Sequence, residues 1–225
     1  MLFADQFFAK RAFNPVDLNP FAFFDNDRGD RFSLNGSDVA AWEDLGTNGQ
    51  DFIQPVAVSQ PAYQSSPRAV LYTESTKYLT ANPFSFNTSN FTIAYRGNIT
   101  SSNVSCLLGG RYNKLEIRLS TSQIELWVGD GSAYNRLRWS GFSFSGAQCL
   151  VFLRTGSQIG LRVNGSEQAK KSSNYNMVLD EGLLLGLRQN TELPFGGTVE
   201  KLFFKEIEIS GDDLTNLETY FGVTP

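Results

Sequence analysis

The sequence contains no histidine, and that absence removes the commonest general base and the commonest metal ligand together. Cysteine is nearly missing as well. Cys106 and Cys149 cannot complete a structural zinc site by themselves. Both sit in apolar settings, VSCLLG and AQCLVF, and read as two buried free thiols. There is no excess of positive charge: 19 Lys and Arg stand against 23 Asp and Glu, a formal net charge of -4. A general binder of nucleic acid or of anionic membrane needs clustered positive charge, so neither partner is expected. No apolar run approaches the ~20 residues that span a bilayer, so no membrane insertion is expected. The N-terminal stretch MLFADQFFAKRAFNP breaks its apolar positions with Asp5, Lys10 and Arg11, and does not read as a signal peptide.

What the chain has in abundance is aromatic residues and turn formers: 19 Phe, 8 Tyr, 3 Trp and 20 Gly in 225 residues. That is the profile of short strands joined by tight turns. From Phe21 onward the apolar period is two. KLEIRLS sets Leu115, Ile117 and Leu119 against Glu116 and Arg118, and QIELWV sets Ile124, Leu126 and Val128 against Glu125 and Trp127. The Ser-Thr-rich turn between them predicts a hairpin. RLRWS turns Leu137 and Trp139 inward, CLVFLR is apolar enough for a central strand, and QIGLRVNG ends in the Asn164-Gly165 hairpin signal. GLLLGLR and TVEKLFFKEIEIS supply two further strands. Helical spacing appears only near the end. Ser210 and Asp213 stand at a capping-box-like interval before Leu214, Leu217 and Phe221, predicting a short helix over about 210–221. This order predicts an all-β antiparallel jelly-roll sandwich over 21–225. Residues 1–20 differ: Phe3, Phe7, Phe8 and Phe13 lie among charges without alternation, and Pro15 and Pro20 follow. We expect an aromatic-rich assembly arm that packs on its own sandwich or on a neighbour.

Three stretches carry a family resemblance. VAAWEDLGTNGQDFIQPVAVSQPAY, with Trp42, Asp44, Gly46, Asn48, Gly49, Gln54, Gln60, Pro61 and Tyr63, resembles the opening segment of concanavalin A-like, laminin-G-like jelly-roll domains. IGLRVNGSEQA is similar to that family's Asn-Gly hairpin, and LLLGLRQNTELPFGGTVEKLFFKEIEISGDDLTNLETYF to its closing section. The resemblance implies the sandwich that the strand pattern also gives. Free-standing domains of this kind look most like structural proteins of tailed bacteriophages. That implies a non-enzymatic virion component (capsid decoration, tail or fibre), assembled in the host cytoplasm in contact with other virion proteins and as a homo-oligomer. The alternative is a carbohydrate-binding, lectin-like module with a surface glycan as partner. A glycoside hydrolase is a third reading. Relatives that cleave β-glucans place two Glu around an Asp at alternate strand positions. Glu206 and Glu208 match two of these, but Ser210 stands where the third acid would be, so no catalytic residue is assigned. Laminin-G-like domains often hold calcium; DNDRGD and GDG are the acid-rich turns suited to it, yet neither fits an EF-hand pattern, and no cofactor is predicted.

The candidate ligand residues come from strand phase. Trp127 and Glu125 point away from Ile124, Leu126 and Val128; Arg136 and Arg138 point away from Leu137 and Trp139; Arg118 and Arg162 take the outward phase of their own strands. An outward Trp among arginines can stack on a sugar ring while Arg and Glu bond its hydroxyls. The alternatives are a cation–π contact over a solvated sheet face, or burial against the arm.

Overall fold

In the computed structural model, which describes residues 12–73, 76–86, 88–110, 114–179, 182–188 and 193–224, the two-residue period becomes a succession of short strands. In chain order the strands are β1 (Ala22–Asp25), β2 (Phe32–Asn35), β3 (Asp38–Trp42), β4 (Phe52–Ile53), β5 (Ala62–Ser65), β6 (Arg68–Thr73), β7 (Leu79–Ala81), β8 (Phe91–Asn98), β9 (Ser105–Gly109) and β10 (Glu116–Ser120). They continue with β11 (Gln123–Gly129), β12 (Tyr134–Ser140), β13 (Ala147–Thr155), β14 (Gln158–Val163), β15 (Ser166–Glu167), β16 (Lys171–Ser172), β17 (Leu183–Leu185), β18 (Gly196–Val199) and β19 (Lys201–Lys205). Among the described residues a single α-helix, α1 (Gly211–Tyr220), follows.

The strands form two antiparallel sheets, the sandwich expected from the sequence. The smaller has seven strands in the order β1-β19-β8-β13-β14-β15, with β16 also on β14. The larger has twelve, β12-β11-β10-β9-β17-β7-β4-β3-β5-β6-β18, with β2 on β3. CLVFLR lies in β13, paired on both sides, as its apolar composition requires. The main core fills the space between the sheets: Phe24, Ile93, Phe152 and Leu202 from the smaller meet Trp42, Ile117, Leu126 and Trp139 from the larger. The smaller sheet is also covered on its far side. Phe23, Ala94, Val151 and Phe203 pack under Leu217 and Phe221 of the α1 region, with Val16 and Leu18 of a 3-10 turn (Pro15–Leu18) beside them. Among the described residues no helix covers the outer face of the larger sheet.

Several expectations are corrected. TVEKLFFKEIEIS is two strands in different sheets: β18 pairs with β6 in the larger, β19 with β8 and β1 in the smaller. The chain changes sheet at Glu200, whose N–H donates to the Arg96 carbonyl at 2.8 Å and whose carboxylate receives Arg96 Nε at 3.0 Å. Because β19 ends at Lys205, Glu206 and Glu208 lie beyond it and do not share a strand face. Ser210 is extended and caps nothing with its side chain, so the capping box is absent.

The segment that carries the resemblance proves to be a clasp inside the fold. Asp44 Oδ1 accepts the N–H groups of Phe23 at 2.9 Å and Gly46 at 2.8 Å, tying the turn to β1. A Cβ at Gly46 would stand 2.5 Å from the Ala22 Cα, so the turn can approach β1 only as glycine. Gln60 Nε2 donates to the Gln54 carbonyl at 2.7 Å, and both amides are buried. Of the arm residues, Phe3, Phe7 and Phe8 lie outside the described residues. Phe13 meets Tyr220 edge-on at 6.4 Å, so the described part of 1–20 packs on this chain's own helix side.

Candidate ligand-binding face

β10, β11 and β12 form one end of the larger sheet, and their register fixes which side chains meet on its outer face. Glu116 stands opposite Trp127 and Arg118 opposite Glu125. Trp127 stands opposite Arg136, Glu125 opposite Arg138, and Gly129 opposite Tyr134. Five of the six residues singled out from strand phase are therefore neighbours. Arg162 is not among them. It belongs to the smaller sheet, where Nε donates to Glu218 of α1 at 2.7 Å, and it lines a cleft of about 400 Å³ beside that helix.

Glu125 is the centre of the arrangement. Its side chain is 0% exposed, and it accepts hydrogen bonds from Trp127 Nε1 at 3.1 Å, Arg136 Nε at 2.9 Å and Arg138 Nε at 3.1 Å, besides one from Gln123. A buried carboxylate without partners would be driven to its neutral form. Here burial does push the carboxyl up, but the bonds from Arg136 and Trp127 and the charges of Arg136 and Arg138 outweigh it, and the group lies below its ordinary value. Glu116, also buried, takes Arg118 at 2.7 Å and Arg188 at 3.2 Å. Each of the two buried carboxylates thus answers two guanidinium groups.

The structure corrects the role expected for Trp127. Arg118 lies over its ring at 4.0 Å from the centroid, and Tyr134 stacks on it at 4.6 Å with an interplanar angle of 26°. The register brings Arg118 and Tyr134 to the ring from the strands on either side of β11, so both of its faces are engaged by protein groups. The exposed groups are Tyr134, 41% accessible, and the side chains of Arg136 and Arg138 at 42% and 47%. Tyr134 is the residue that sequence reasoning missed. Its signal was present: in YNRLRWS it shares the phase of Arg136 and Arg138.

The acid-rich turns are engaged elsewhere. Asp25 is buried and accepts the Tyr220 hydroxyl at 2.6 Å, while Asp27 takes Lys201. Asp130 accepts Ala133 N–H at 3.0 Å, Ser132 N–H at 2.9 Å and the Ser132 hydroxyl at 2.7 Å, donors that hold it down at about 2. Among the described residues no group of three or more Asp, Glu, Cys or His could hold a metal ion. Nor is any helix among them long and apolar enough to cross a membrane.

The sequence matches no protein-family model and no curated protein. Solved structures do share the fold. Domain 4 of AbnA, a GH43 extracellular arabinanase from Geobacillus stearothermophilus in complex with arabinotriose, superposes with a TM-score of 0.62 at 14% identity, over 89% of this chain and 98% of that one. The botulinum neurotoxin serotype G binding domain gives a TM-score of 0.67 at 10% identity, over 90% and 51%. The binding domain of Paraclostridial Mosquitocidal Protein 1 gives 0.64 at 12% identity, over 92% and 52%. The chain therefore spans about half the length of the two toxin binding domains. At these identities the likeness establishes the β-sandwich fold.

Proposed function

We propose that the protein is a non-catalytic carbohydrate-binding module whose binding surface is the outer face of β10, β11 and β12. One observation carries the reading: a fully buried carboxylate holds two half-exposed arginines and the tryptophan on which an exposed tyrosine ring stacks, on a sheet face that no described helix covers. An aromatic face beside fixed polar donors is what a sugar ring requires, with C–H faces to stack and hydroxyls to bond. Trp127 supports Tyr134 from below, and Arg118 locks Trp127. The solved relatives favour the same reading: one is an arabinanase domain with a trisaccharide bound, the others are binding domains of toxins. The virion role implied by the family resemblance finds no counterpart among these relatives, and it yields to the module reading.

A glycan array followed by calorimetry tests this. The protein should bind at least one oligosaccharide, and Tyr134→Ala should abolish that binding while leaving the melting temperature nearly unchanged. Binding that survives Tyr134→Ala would move the site away from this face.

A further inference from the structure

The proposed face is unlike a neutral sugar platform in its charge. Arg136 and Arg138 share one partner, Glu125, whose oxygens are also bonded to Trp127 and Gln123. Two guanidinium charges therefore meet one carboxylate charge. The surplus sits at the exposed end of the pair, because Glu125 is buried and both arginines are half-exposed. This local excess is positive in a chain whose formal net charge is -4. Asp130 of the adjoining turn is ionised and offsets part of this excess, but its acceptor oxygen is turned to Ser132 and Ala133 and not to either arginine. Along β10, Glu116 is likewise shared, between Arg118 and Arg188.

The two arginines are also preorganised. As i and i+2 on one strand face, their Cα atoms stand about 6.6 Å apart. Each is anchored through Nε to the same buried group. A guanidinium has five N–H donors in a planar fork, so donors remain on each side chain beyond those bonded to Glu125. Holding both forks in advance reduces the ordering cost that flexible surface arginines normally incur on binding an anion. Tyr134 precedes them on the same strand face, two residues from Arg136.

Resting on the carbohydrate-binding reading above, we infer that this face selects sugars with a negatively charged substituent, a carboxylate or a sulfate, held by Arg136 and Arg138 while the ring lies on Tyr134. Charge-assisted bonds to such a group are stronger than bonds to a neutral hydroxyl. The acidic ligand should therefore bind about tenfold tighter than its neutral counterpart.

The test uses matched pairs against the full chain in calorimetry: an oligogalacturonate and its methyl ester, and a keratan sulfate fragment, which has no uronic acid, and its desulfated form. The acid member should bind tighter in at least one pair, and the pair that responds tells carboxylate from sulfate. The advantage should shrink as sodium chloride is raised, because exposed charges are screened. Arg138→Gln, which leaves Arg136 on Glu125, should bring the acidic ligand down towards the affinity of its neutral partner. Equal binding of both members of each pair by the native protein would overturn the inference while leaving the module reading intact. Binding of neither member of either pair, with neutral glycans bound on the array, would overturn it as well. If nothing binds on the array or in these pairs, both readings fall. The native-protein comparison does not depend on how any variant folds.

Discussion

Glu125 is the side chain on which the candidate face depends, because it alone touches Trp127, Arg136 and Arg138. Glu125→Gln would leave two arginines short of a charged partner, and should cost about 1–3 kcal/mol in urea unfolding at neutral pH. The pH dependence follows from the direction of the carboxyl's shift. Its value in the folded protein is lowered, so its contribution is fully present above the ordinary glutamate value of about 4.3 and is lost as pH falls through the lower folded value. The stability gap between native protein and Glu125→Gln should therefore be constant near neutrality and close in acid. A gap that widens in acid would contradict the assignment. The two thiols make a simpler case. Both are free and buried; burial pushes Cys149 up to about 12 and Cys106 well above its ordinary range. Thiol titration should find almost no reactivity in the native protein and two thiols after denaturation.

Among the elements, the turn between β3 and β4 bears most directly on what a sequence can reveal. Its Trp-Asp-Gly pattern was legible because each residue type answers a local demand: a core ring, an acceptor for several N–H groups, a position without Cβ. The demand is structural, and the pattern therefore spoke of fold and not of function. Gly46→Ala would press a methyl group against the β1 backbone and should cost about 1–3 kcal/mol. At Gly36, where nothing lies within 4 Å, alanine should cost only the strain of the positive φ, about 1 kcal/mol. Thermal melts of the two variants would rank them. Strand phase was equally legible, and it brought Glu125, Trp127, Arg136 and Arg138 to one surface correctly. Phase cannot say which sheet a strand joins. That is why Arg162 was grouped with residues of the other sheet. The crossing at Glu200 did leave a mark that was passed over: Val199 and Leu202, both in the main core, stand three residues apart, which one strand of period two does not allow. Nor can phase show that Trp127 is covered on both sides, because that depends on partners two positions away on neighbouring strands.

For the whole molecule, the decisive asymmetry is that α1 and the Pro15–Leu18 turn clad the far side of the smaller sheet, whereas among the described residues no helix lies on the far side of the larger. Phe13, Val16 and Leu18 belong to that cladding, and Lys205 donates to the Asn19 carbonyl at 3.2 Å. A chain beginning at Phe21 should therefore be less stable than one beginning at Ala12, by roughly 3 kcal/mol for the apolar surface uncovered. Equal stability would mean that the segment contributes only to association with a partner. The smaller sheet also sets the order in which the molecule can be completed. Its strand β1, four residues buried to the last, is bonded on one edge by the nearby 44–48 turn, but its strand partner is β19, where Phe23 pairs with Phe203. A ribosome releases the chain at about 5–20 residues each second, so Phe23 and Phe24 wait roughly 10–40 s before β19 emerges. Until then the nascent polypeptide carries an aromatic strand with one edge unpaired, which makes it a client for chaperones that shield such segments, and the smaller sheet can close only once β19 has been made.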